Sequence, residues 1–149
     1  MDTPLPKPPP AYPSPADTAS RTAVHSLAWL VFANIVGVWL ATLLVWPDAG
    51  RLLGPLSYGR WVTLHLNLHL YGWCSLPFVG LLLRAYLPAH DHRGANAALQ
   101  AWSGALIFAS VSWLSGDVSG KPFVEWAGPA RLVMPAAMLF LAMVLARGY

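Results

Sequence analysis

Four stretches of the chain, 22–46, 61–83, 95–114 and 131–146, run almost without charge, and the charged residues gather in the gaps between them. Lipid as solvent for the stretches and water for the gaps produces this pattern. A helix needs roughly 20 predominantly apolar residues to cross the hydrocarbon core, and each stretch approaches that length, the fourth being the shortest. Lipid offers no partner to an unpaired backbone amide, so each stretch is expected to be helical. The expected fold is therefore all-α: an integral membrane domain of four transmembrane helices over 22–149. Residues 1–21 differ, with seven of the fourteen prolines and almost no aliphatic side chain. Such spacing favours extended, solvated backbone, so a disordered Pro-rich tail is expected there. A secretory signal would place its apolar stretch within the first residues, so the first span is expected to stay uncleaved. The tail reads as a spacer, with an SH3-type ligand as the other reading.

Composition agrees with a membrane solvent. Hydrophobic residues make up 56% of the chain and charged residues 10%, against about 25% charged in soluble domains. Cys74 is the single cysteine, which excludes a disulfide scaffold. The net charge of +3 is scattered singly, with no basic stripe on which nucleic-acid binding could rest. Lys7, Arg21, Arg84, Arg93 and Arg147 share one side of a four-span topology and Arg51, Arg60, Lys121 and Arg131 the other, a balance too even to orient the chain by the positive-inside rule. Trp46, Trp61, Trp113 and Trp126 lie near span ends, where an interfacial aromatic belt would put them.

Chemistry concentrates in the second span. Polar groups inside a membrane helix are costly and tend to mark a ligand or a functional path. His65 and His69 are four residues apart and so share a helix face. Gly72 continues that stripe without a side chain, as a flat macrocycle lying close to the backbone would need. Neutral imidazole is a usual axial ligand of heme iron. Two plainer readings stand beside this one: a histidine bonded to a neighbouring helix, and a zinc site at the His65/His69 pair, which lacks further ligands within the span. His25 starts the first span and His65 starts the second, which runs the opposite way, so the two should differ in depth by well over ~10 Å. They cannot clamp one iron. His90 and His92 fall in a polar loop and read as solvated. One chain thus supplies at most one ligand at the level of His65, so either the iron would be five-coordinate or another subunit would supply the opposite ligand.

These residues resemble a family. Tyr58-Gly-Arg60, His65-x-Asn67 and Tyr71-Gly-Trp73 are similar to the second membrane helix of the catalytic subunit of cbb-type heme–copper oxidases and their nitric-oxide-reductase relatives. Ser115-Gly-Asp117-Val-Ser-Gly120, with Glu125-Trp126, resembles the loop after the third helix there. The resemblance implies that His65 ligates a low-spin heme b. It also implies a bacterial-type inner membrane, the tail in the cytoplasm and His65 toward the outer face. It covers only the first three or four of about twelve helices. The other heme ligand, the copper-binding histidines and the cross-linked tyrosine have no counterpart, and His69 is additional to the pattern. The resemblance thus implies an incomplete oxidase without a copper site in this chain, similar to an N-terminal portion of subunit I that other membrane subunits would complete.

The implied role is electron transfer. His65 would be the axial ligand and Gly72 would leave room for the porphyrin. Arg60 would reach a propionate or snorkel at the interface. Asn67 is expected to bond a neighbouring helix, Cys74 to be buried, and Asp117 and Glu125 to be solvated in their loop. Small residues of the third span, Ala98, Ser103, Ala105 and Ala109 among them, should allow close helix approach. Pro77 and Pro135 should bend their helices. The other functional class is a non-redox structural or assembly subunit of a membrane respiratory complex.

Overall fold

A computed structural model describes residues 15–88 and 91–147. Every regular element among them is helical. The four long helices are long and apolar enough to cross a membrane: Asp17–Val45 and Tyr58–Tyr86 with 29 residues each, Arg93–Ser115 with 23 and Ala130–Arg147 with 18. Even the shortest reaches about 27 Å at 1.5 Å per residue, close to the ~30 Å hydrocarbon core. A 3₁₀ turn, Pro47–Leu53, joins the first two.

The first helix opens at Pro15, so residues 15–21, expected in the disordered tail, are helical; residues 1–14 lie outside the described residues. Proline is at home in a first turn, where its missing N–H has no intrahelical acceptor, and Asp17 complements the positive end of the helix dipole. Polar composition had suggested tail; polar residues can be helical once beyond the hydrocarbon.

The first span shows which solvent the surface faces. Val24, Leu27, Val31, Ile35 and Val38 recur every three or four residues and are all more than half exposed, while Thr22, Ser26 and Ala33 are buried. Large apolar side chains left outside suit a lipid surround, while the inner face carries small and polar residues at its start and Val36, Leu40 and Leu43 further on.

The first and second spans run antiparallel along a seam with a glycine at each closest approach. A Cβ on Gly80 would lie 2.5 Å from Thr22, one on Gly72 2.6 Å from Trp29, and one on Gly37 2.8 Å from His65. These contacts recur about every two turns along both helices, which fixes their register. The third span packs on the fourth, with Ala101, Gly104 and Ala105 beside Val133, Ala136 and Ala137 along their shared outer groove.

Three placements differ from the sequence reading. Trp113, expected in an interfacial belt, is fully buried, and its indole donates to the carbonyl of Glu125 at 3.2 Å. Cys74, expected to be buried, is exposed, because it lies on the outer face of the second span. Glu125, expected to be solvated, is 0% exposed. The loop folds back over the helix ends and closes around this side chain: one carboxylate oxygen accepts from the backbone N–H and the hydroxyl of Ser119 at 2.8 and 3.1 Å, the other from the N–H of Ala127 at 3.0 Å. Asp117 is exposed and accepts from the Ser112 hydroxyl at 2.8 Å.

Candidate functional site

The second span is not a uniform α-helix. Tyr58–Asn67 is α-helical, Leu68–Cys74 is a π-helix, and Ser75–Tyr86 returns to α. Pro77 has no N–H for the carbonyl of Trp73, and the Ser26 hydroxyl of the first span donates to it instead at 3.2 Å. The N–H of Ser75 reaches back five residues to Leu70, which leaves the Tyr71 carbonyl without its α-helical donor. The Trp102 indole of the third span takes that place at 2.8 Å. Each carbonyl released by the irregularity is met by a donor from another helix, as a nonpolar surround requires. Such π segments are frequent at functional sites, and this one holds His69 and Gly72 and begins three residues after His65.

His65 is half-buried. Its Nδ1 lies 2.8 Å from the carbonyl oxygen of Ala33 on the first span. A carbonyl can only accept, so Nδ1 carries a proton, and in the neutral ring Nε2 presents a lone pair. Among the described residues no donor meets that lone pair. The ring rests against the bare backbone of Gly37. His69, also half-buried, stands edge-to-face to it with ring centroids 4.7 Å apart. One turn before His65 on the same face is Trp61, whose ring stands edge-on to Trp39 of the first span at 6.3 Å. The indole N–H groups of Trp39 and Trp61 are both buried without an acceptor among the described residues. Buried indole donors usually find a partner, so this face combines two orphaned donors with an unmet imidazole lone pair.

The other residues singled out from the sequence lie elsewhere. Gly72 is buried and faces Trp29, so in this chain an indole covers the bare surface that a macrocycle would use. Arg60 donates to the carbonyl of Leu114 at 3.0 Å, and its guanidinium lies over Gly116, the left-handed cap of the third span. It thus places a cation on the negative end of that helix. Asn67 bonds not to a neighbouring helix but to the loop after the third span: its Oδ1 accepts from the N–H of Glu125 at 3.2 Å and its Nδ2 approaches the Pro122 carbonyl at 3.4 Å. Tyr71 joins the same loop, accepting from the Trp126 indole at 2.6 Å. His25 contacts Ser103 of the third span at 2.8 Å, and the Trp29 indole donates to the same hydroxyl at 3.2 Å. His25 precedes Ala33 by eight residues, about 12 Å along the helix, and so lies well away in depth from His65. His90 and the side chain of His92 lie outside the described residues.

Ala33, Gly37 and Trp39 were not singled out from the sequence. Gly37 is a lone glycine in an apolar run, and its partner follows only from the register of the seam. The chain matches no protein-family model, no curated protein and no solved structure.

Proposed function

We propose that the chain is a membrane subunit resembling the N-terminal part of a cbb-type oxidase subunit I, in which His65 supplies one axial ligand to a low-spin heme b and a partner membrane subunit supplies the other. The observation that carries this reading is the hydrogen bond from His65 Nδ1 to the Ala33 carbonyl. It holds the ring in the tautomer whose Nε2 can ligate a metal, the arrangement by which ligating histidines are commonly oriented. The ring is half-buried, with its Nδ1–Cε1–Nε2 edge beside Gly37 of the first span. The donor set fits one axial imidazole. In this structure Trp29 lies over Gly72 and Arg60 donates to the Leu114 carbonyl, so the reading rests on His65. A heme b held there would supply single-electron exchange. The proposal extends to a bacterial-type inner membrane with the N-terminus in the cytoplasm.

A second reading, a non-redox structural or assembly subunit, is favoured by Trp29 over Gly72 and by the closure of the loop on Glu125. The test is the absorption spectrum of the protein purified with its native partners. A b-type low-spin spectrum that His65→Ala abolishes while the complex stays assembled supports the heme reading. A spectrum that His65→Ala leaves unchanged, or no heme at all, supports the structural one.

A further inference from the structure

A groove of about 320 Å³ runs between the N-terminal end of the first span and the C-terminal half of the second, its walls including Ala23, Leu27, Trp73, Pro77 and Gly80. The hydroxyls of Thr22 and Ser26 in its floor are already bonded to the carbonyls of Thr18 and Trp73, so the groove offers an occupant apolar surface. Its walls extend from Ala19 to Leu27 on one helix and from Arg84 to Trp73 on the other, about 12 and 16 Å. That is about half of the ~30 Å core, the depth of one leaflet. Trp73 sits near the middle of the 29-residue second span and Arg84 near its end, so the groove runs from the bilayer interior to the interface. At the interfacial mouth stands Arg84, exposed and paired with no carboxylate among the described residues.

We propose that this groove binds one anionic phospholipid, an acyl chain lying along Ala23, Leu27 and Pro77 and the headgroup phosphate on the Arg84 guanidinium. Length and charge select the occupant together. An apolar slot one leaflet deep suits a single acyl chain, and the Arg84 guanidinium at headgroup level suits a phosphate diester. A zwitterionic headgroup meets the same guanidinium with its own cation alongside, which weakens the attraction. The site lies on the opposite half of the membrane from His65 and does not depend on its role.

The full-length chain, reconstituted in vesicles of equal phosphatidylglycerol and phosphatidylcholine and then released for native mass spectrometry, tests this. The wild type is expected to retain phosphatidylglycerol in preference, Arg84→Gln to lower that preference about fivefold, and Arg84→Lys to keep it. Ala23→Phe, which fills the groove from an exposed position, is expected to lower retention of both lipids. Equal retention of the two lipids by the wild type, an unchanged preference in Arg84→Gln, or loss of preference in Arg84→Lys would overturn the proposal. So would unchanged retention in Ala23→Phe, including the case where that variant alters only self-association, which would make the groove a helix-docking surface.

Discussion

Gly37→Ala is the sharpest probe of the contact that orients His65. The added methyl would sit 2.8 Å from Cε1 and 3.4 Å from Nδ1 of that ring, well inside ordinary carbon–carbon contact. Either the spans separate locally or the ring swings off the Ala33 carbonyl, 2.8 Å away. Overpacking of this kind costs about 1–3 kcal/mol, and losing the hydrogen bond is worth about 1 kcal/mol of that. For a chain of this size the melting temperature should fall by about 3–10 °C, read by circular dichroism in detergent micelles. Nitrogen chemical shifts of ¹⁵N-histidine report the tautomer, and His65 should lose its fixed Nδ1–H form. Gly104→Ala supplies the control, because a Cβ there meets nothing within 4 Å; it should be neutral or slightly stabilising. In a His65→Ala background the penalty of Gly37→Ala should largely vanish, since coupled neighbours are not additive. Equal behaviour of the two glycine variants, or a penalty that survives removal of the imidazole, would refute the reasoning.

Two further expectations concern the elements that hold the site. Glu125→Ala removes the acceptor for three donors inside the loop and for no cation; the loop should open to limited proteolysis between 116 and 129 and stability should fall by about 2–4 kcal/mol, and a protease-resistant variant would count against the carboxylate as its organiser. Trp102→Phe keeps the ring but strands the Tyr71 carbonyl that the indole meets at 2.8 Å; a loss of about 1–3 kcal/mol is expected, and an unchanged unfolding midpoint would show that water or a backbone shift takes the indole's place.

The four spans were legible in the sequence because each lies in lipid, where a run of apolar residues and the obligation to pair every amide leave one local answer. His65 and His69 were legible for the same reason, as costly groups in a run that otherwise avoids them. The burial expectations that differed from the structure turned on which side of a helix, or of a loop, meets the protein. Cys74 faces outward and Trp113 inward, yet both lie in apolar runs whose periodicity is weak, because lipid and protein interior are alike in polarity. Glu125 is buried by a loop that closes on it from both directions, and a charged residue between glycines and prolines carries no local mark of that closure.

The partners of His65 belong to the same class. Which carbonyl receives Nδ1, and which glycine makes room for the ring, depends on the antiparallel register of two helices whose contacts lie more than twenty residues apart in the chain. Local pattern settles that a segment crosses the membrane and that an imidazole lies within it. Register, set by the sum of the close glycine contacts and the interhelical hydrogen bonds, settles which nitrogen faces the Ala33 carbonyl and carries the proton.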